Sequence, residues 1–189
     1  MRYGQPPLGR TIDPAGEIFM DLAAFIRDVP DFPKPGILFK DITPLLADPH
    51  AFTHAIDTMT IWCRPRKVDA IAAAEARGFL FAAPLALRLG VPLIPLRKPG
   101  KLPYLSTSVE YALEYGTNSL HMHVDAIKPG QNVLMVDDLL ATGGTMAAAA
   151  ELIQKAGGQV AGFLFAIELA FLEGRVRLGK HPVHALLTY

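Results

Sequence analysis

Two adjacent carboxylates, Asp137 and Asp138, close an apolar run and open into Leu139-Leu140-Ala141-Thr142-Gly143-Gly144-Thr145. Val133 to Val136, set up by the Pro129-Gly130 turn, reads as a short strand. Thr145 to Ala156 has the Ala, Leu and Ile content of a helix stopped by Gly157-Gly158. What joins them is therefore a strand-to-helix loop. The first backbone N–H groups of a helix are unpaired and its dipole favours an anion. Ala141, Thr142, Gly143, Gly144 and Thr145 can thus wrap a phosphate with amides and with the two Thr hydroxyls, the glycines permitting close approach. Asp137 and Asp138 would repel a bare phosphate. The ligand should then also carry hydroxyl donors or a divalent cation a few ångströms away, which is the layout of a ribose 5-phosphate. A Thr-Gly-Gly-Thr turn alone equally suits an ordinary connection, and the carboxylate pair directly after the strand is what sharpens the signal. The chain has no Gly-x-x-x-x-Gly-Lys-Ser/Thr run and no helix-opening Gly-x-Gly-x-x-Gly, which removes the Walker and Rossmann alternatives.

Three further stretches carry groups able to act on such a ligand. Glu75-Ala76-Arg77-Gly78 follows the apolar Ala70 to Ala74 and offers a guanidinium with a permissive glycine, suited to a second phosphate. The plainer alternative is a surface ion pair between Arg77 and Glu75. Arg97, Lys98 and Lys101 place three cations within five residues around Pro99-Gly100, either a solvated basic loop or a lid that closes over a polyanion. Pro33-Lys34-Pro35-Gly36 makes a turn, after which Ile37-Leu38-Phe39-Lys40 can present a backbone edge. Glu110 to Tyr115 alternates polar and apolar residues, as an exposed hairpin edge would.

The elements that must hold these loops alternate in type. Asp13-Pro14 suits the start of a helix with Ile18, Leu22, Phe25 and Ile26 on one face, and residues 1–12 are expected to lie loose. Asp48-Pro49 starts a second helix to about Trp62. Ala70 to Ala74 reads as a strand, Gly78 to Leu89 as a helix, and Pro92 to Leu96 and Gln159 to Ile167 as further strands. The fold class this predicts is α/β, a parallel sheet with helices on both faces, in a single domain over residues 1–189. Residues 97–118 break every regular pattern through Pro99, Gly100, Pro103 and a Ser/Thr run. They are expected to form a long flexible lid loop, since a loop of that length inside a compact domain is usually functional. In an open α/β sheet ligands bind beyond the carboxyl ends of the strands, so the Glu75 and Asp137 loops should face one crevice.

Composition sets outer bounds. A chain of 189 residues, 51% hydrophobic and 19% charged, is long enough for one sizeable core. A formal net charge of zero argues against a nucleic-acid surface, which needs a basic excess. The lone Cys63 excludes an intramolecular disulfide, and no signal-peptide pattern or membrane-spanning run occurs. A cytoplasmic protein that does not enter membranes is therefore expected.

The run Val136 to Thr145, VDDLLATGGT, resembles the phosphoribosyl pyrophosphate (PRPP) motif of type I phosphoribosyltransferases, in the wording of the members that act on adenine. IRDVPDFPKPGILFKDITPLL at Ile26 to Leu46 is similar to that family's amino-terminal segment. EARGF at Glu75, RKPGKLP at Arg97, LEYG at Leu113 and IEL at Ile167 follow in the family's order, so the resemblance covers roughly residues 17–189. It implies a sheet with a small hood segment, and transfer of the phosphoribosyl group from PRPP to adenine, giving AMP and pyrophosphate with Mg²⁺ held mainly by substrate. The roles it implies are these: Asp137, Asp138 and Ala141 to Thr145 for the ribose 5-phosphate; Glu75, Ala76, Arg77, Arg97, Lys98 and Lys101 for pyrophosphate; Leu38 and Lys40 through their backbones, with Phe39 and Leu139 against the ring, for adenine. Both Phe39 and Leu139 are residue types that more often belong to a core. Glu114 would be the catalytic group, with Tyr115 beside it orienting the lid, and the Glu75–Ala76 peptide is expected to be cis. A homodimer is implied, in which some of the loop cations reach the neighbouring subunit. The family commonly has Arg where Lys40 stands and Gly where Ala82 stands, which puts any guanidinium role at position 40 in doubt. The alternatives are a transferase for 6-oxopurines, a non-catalytic purine or PRPP sensor, and an unrelated phosphate-binding domain. The sensor would want a DNA-binding segment, which residues 1–25 are too short and insufficiently basic to supply.

Overall fold

The computed structural model describes residues 10–12, 18–112 and 117–189, and the chain falls into two compact units, Met1–Asp57 and Thr58–Tyr189. In the first unit β1 (Arg10–Ile12) pairs antiparallel with β2 (Ile18–Met20). A single 3-10 turn, Leu22–Phe25, follows, begun by the Asp21 carboxylate accepting from the Ala23 N–H at 3.0 Å. The helix expected from Asp13-Pro14 to Ile26 is therefore corrected. Asp13-Pro14 lies outside the described residues, and Ile18 to Met20 is extended, because so short a helical pattern does not outweigh strand pairing. β3 (Arg27–Pro30) and β4 (Leu38–Asp41) form an antiparallel hairpin in which Pro30 faces Leu38 and Asp28 faces Lys40. Its turn is closed by the Asp31 carboxylate, which accepts from the Gly36 N–H at 2.7 Å. The Asp41 carboxylate, just ahead of α1 (Thr43–Ala47), accepts from the Thr43 N–H and hydroxyl, and Asp48 caps α2 (Pro49–Cys63) through the N–H groups of His50 and Ala51.

The second unit is built on a sheet of five parallel strands in the order β11-β10-β9-β5-β6. β5 (Ala70–Ala74) is buried throughout and leads through α3 (Gly78–Leu89) to its neighbour β6 (Leu93–Leu96). β9 (Asn132–Leu140) leads through α4 (Gly144–Lys155) to β10 (Gln159–Glu168), its neighbour on the other side. Right-handed crossovers that travel in opposite directions put α3 and α4 on opposite faces of the sheet. The expected α/β class with helices on both faces is borne out. β9 runs four residues past the apolar stretch, because its pairing with β10 continues to Leu140 and Glu168 whereas β5 stops opposite Val136. Asp137 and Asp138 consequently lie on a strand, with side chains that alternate between its faces.

Residues 97–118 are less irregular than their Pro and Gly content suggests. β7 (Ser106–Ala112) pairs antiparallel with β8 (Thr117–His123) in register from Ser106–His123 to Ala112–Thr117. The period of two set by Thr107 and Val109 decides this, since Val109 packs with Leu120 and Met122 into the core beneath α4. β11 (Val183–Thr188) closes the sheet, although its run of Ala185, Leu186 and Leu187 gives no alternation to read. No described helix is long and apolar enough to cross a membrane.

One packing arrangement in this unit is sensitive to pH. The Trp62 indole stacks on His184 at 5.5 Å, and the Arg66 guanidinium lies 3.6 Å from the centre of the Trp62 ring. Burial, followed by the charges of Arg66 and Arg175, lowers the His184 pKa below its ordinary value. The unfolded chain then binds the proton more readily, so this contribution is whole above about pH 6.5 and is lost as pH falls toward the folded value. His184→Phe should lose less stability than the parent between neutral and mildly acidic pH in urea denaturation. Equal losses would remove His184 as the cause.

Candidate functional site

The strand order reverses between β5 and β9, and the loops that leave their carboxyl ends are Glu75–Gly78 and Ala141–Thr145. At such a reversal one crossover turns away on each side, leaving a crevice between them. Around the carboxyl end of β9, residues Asp137, Leu139 to Thr145 and Met146 line a hollow of about 80 Å³. A water takes about 30 Å³ in the liquid, so a group the size of phosphate fits.

The loop owes its shape chiefly to protein packing. Gly143 precedes α4 at φ 80°, a left-handed conformation, and a Cβ there would come 2.4 Å from the Gly174 carbonyl oxygen. Reciprocally, a Cβ on Gly174 would come 2.1 Å from the Ala141 carbonyl oxygen. Two backbones thus lie in direct contact, and glycine is required on both. Gly174 begins the 3-10 turn Gly174–Leu178, which Arg175 fastens by donating Nε and Nη2 to the buried Glu168 at 2.6 and 2.5 Å and Nη1 to the Val183 carbonyl. Neither Gly174 nor this ion pair stands out from sequence spacing. Glu168 does fall within the IEL stretch that carries the resemblance.

The two carboxylates have separate environments. Asp138 is 6% exposed and accepts a hydrogen bond from the Arg77 guanidinium. Asp137 faces the hollow, and its Oδ1 accepts from the Asp138 N–H at 2.9 Å. A Cβ on Gly78 would approach Asp137 Oδ1 to 2.8 Å, so a glycine at the start of α3 is what admits the carboxylate. Burial first, and the neighbouring Asp138 second, raise the Asp137 pKa well above the ordinary carboxylate value.

Around the other loop the charges are paired differently from the simple surface ion pair. The Glu75–Ala76 peptide is cis, as expected. Glu75 accepts from Arg97 Nε at 2.5 Å and from the Lys98 N–H at 2.9 Å, so the pairing of Arg77 with Glu75 is replaced by Arg77–Asp138 and Arg97–Glu75. Burial alone would raise the Glu75 pKa, but these two donors outweigh it and hold it below the usual value. The Arg97 backbone is clasped at both N–H and C=O by His121 on β8, so Arg97 sits on no flexible arm. Lys98 and Lys101 are exposed and make no ion pair among the described residues.

Leu139 is half-buried at the hollow, not part of the fully buried core. In the first unit Leu38 is 49% exposed, and Phe39 packs edge-on against Phe32 at 5.0 Å. Lys40 donates Nζ to Asp28 at 2.7 Å, so its ammonium is already held within the hairpin. Glu114 and Tyr115 lie outside the described residues.

Residues 46–177 match the phosphoribosyl transferase domain. The chain belongs to the phosphoribosyl transferase family. It is 56% identical over 170 residues to an adenine phosphoribosyltransferase of Kosmotoga olearia, covering 90% of this chain and 100% of that one. The crystal structure of adenine phosphoribosyltransferase from Thermoanaerobacter pseudethanolicus superposes with a TM-score of 0.87 at 54% identity, covering 89% and 98% of the two chains. The enzyme from Saccharomyces cerevisiae, solved with D-2,5-dideoxy-2,5-imino-altritol 1,6-bisphosphate and adenine, gives 0.84 at 40% identity, covering 88% and 96%. The family resemblance carried by the ordered motifs is borne out, and with it the type I phosphoribosyltransferase fold.

Asp137 has a consequence for the ligand-free protein. Its raised pKa means that folding favours the protonated form, so its contribution to stability is complete below about pH 4 and is lost as pH rises through the raised folded value. Asp137→Asn should therefore match or exceed the parent in melting temperature at alkaline pH and show a flatter decline with rising pH. A parallel decline in both proteins would show that Asp137 is ionised throughout.

Proposed function

We propose that the protein transfers the 5-phosphoribosyl group from PRPP to adenine, giving AMP and pyrophosphate, as a cytoplasmic enzyme of purine salvage. The observation that carries this is the phosphate-sized hollow of Asp137 to Met146, with a carboxylate pair beside it, where the strand order reverses. The adenine and bisphosphate held by the yeast relative support the choice of base and donor.

In the proposed mechanism the ribose 5-phosphate accepts from the N–H groups of Ala141 to Thr145 and from the hydroxyls of Thr142 and Thr145. Asp137 and Asp138 accept from the ribose hydroxyls. The Ala76–Arg77 loop, Arg97, Lys98 and Lys101 take the pyrophosphate, and Arg77 must exchange Asp138 for it, which releases Asp138 to the sugar. Glu75 acts indirectly by holding Arg97 and the Lys98 amide. As pyrophosphate departs, positive charge grows on the ribose ring and negative charge on the leaving group. Carboxylates beside the ring and cations beside the phosphates stabilise both more than they stabilise the ground state.

Adenine presents a donor amine at position 6 and an acceptor at N1, a pattern that a backbone C=O and N–H can read and that 6-oxopurines reverse. Leu38 and Lys40 are proposed for this through their backbones, and Phe39 and Leu139 as apolar contacts for the base. N9 loses its proton on attack, with Glu114 the proposed acceptor. Among the described residues no group of three or more His, Cys, Asp or Glu is placed to hold a metal. Asp137 and Asp138 are hard oxygen donors, a set that fits Mg²⁺ carried chiefly by substrate oxygens. Its contribution there would be to neutralise the pyrophosphate. A homodimer, as the family resemblance implies, is part of the same proposal.

The deciding experiment follows nucleotide and pyrophosphate formation from PRPP and Mg²⁺ with adenine, hypoxanthine, guanine and xanthine offered separately. Rapid AMP formation with inert 6-oxopurines is expected. No turnover of any base by a protein that binds PRPP would favour a sensor. Glu114→Gln should lower kcat by about ten- to a hundredfold with little change in PRPP affinity; an unchanged kcat would end the assignment of Glu114.

A further inference from the structure

The hollow lined by Asp137 to Met146 contains no cationic side chain, and its one charged residue is an acid. A phosphate dianion seated there would have only amides, hydroxyls and the dipole of α4 to balance its charge, and that dipole amounts to about half an elementary charge. The turn Gly174–Leu178 packs against this loop and carries two arginines. Arg175 is fully engaged by Glu168 and Val183. Arg177 is exposed and has no ion pair or side-chain hydrogen bond among the described residues. Its Nη1 lies 3.4 Å from the point a Cβ on Gly144 would occupy, against the first turn of α4. Arg177 also lines a groove of about 380 Å³ along the flank of α4, which it shares with the ionisable Glu151 and His181.

We propose that Arg177 is a positioning residue for the 5-phosphate, supplying, across the bare backbone of Gly144, the positive charge that the loop itself lacks. This rests on the hollow being the phosphate site. The interlocked Gly143 and Gly174 fix the backbone of the turn that carries Arg177 against the loop. Because Arg177 is solvated, its effect falls on affinity and is screened by salt.

The test is isothermal titration of the full-length protein and of Arg177→Met with ribose 5-phosphate at low and high salt, with melting temperatures alongside. At low salt the variant should bind roughly five- to tenfold more weakly, with a shallower salt dependence, unchanged melting temperature and unchanged affinity for adenine. Arg177→Lys should recover most of the loss, and in turnover assays the KM for PRPP should rise while kcat stays near the parent value. Equal affinity of the parent and Arg177→Met would overturn the role of Arg177 and leave the phosphate site standing. Failure of the parent itself to bind ribose 5-phosphate would overturn both.

Discussion

The reversal of strand order between β5 and β9 is the constraint on which the rest of this structure depends. Two crossovers that leave in opposite directions cannot both cover the ends of these strands, so the chain must leave a crevice there. Glu75, Arg77, Asp137 and Asp138 are gathered at that opening. The wholly buried β5 ends on Glu75, and β9 carries Asp137 and Asp138 beyond the end of its pairing with β5. The amides that open α4 lie at this crevice, and in the proposed function they are the donors to the phosphate.

Around this opening the charges hold one another. Arg77 with Asp138 joins the ends of the two strands, Arg97 with Glu75 ties the basic segment to the end of β5, and Arg175 with Glu168 fixes the turn that packs on the Ala141–Thr145 loop. A chain with no net charge thereby keeps cations and carboxylates close to this opening without repelling itself. The pairs differ in availability. Glu168 is buried and its partner is locked, which suits a support. Arg77 is half-exposed and can exchange partners, which suits a ligand contact.

Much of this was legible in the sequence. The strand-loop-helix around Asp137 to Thr145, the Glu75 loop and the succession of β5, α3, β6, β9, α4 and β10 follow from local pattern. Four things were not, for identifiable reasons. Strand pairing over Ile18 to Met20 outweighed a helical spacing too short to stabilise itself. The β7–β8 hairpin showed only as the alternating edge at Glu110 to Tyr115, because Pro99, Gly100 and Pro103 precede it and hid the period of two already kept by Thr107 and Val109. The reason for Gly143 is the least local of all, since the backbone of Gly174, thirty-one positions later, occupies the space a side chain would need. Which carboxylate pairs with which guanidinium is likewise a matter of register between strands, and no spacing along one chain specifies it.

The exchange of Arg77 between Asp138 and the leaving pyrophosphate is the central claim, and a crystal structure with Mg²⁺ and a non-hydrolysable PRPP analogue tests it most directly. The expected density places the 5-phosphate in the hollow of Ala141 to Thr145, the Arg77 guanidinium on the diphosphate, and Asp138 on a ribose hydroxyl. An intact Arg77–Asp138 pair with the analogue bound, or a 5-phosphate seated elsewhere, would contradict it.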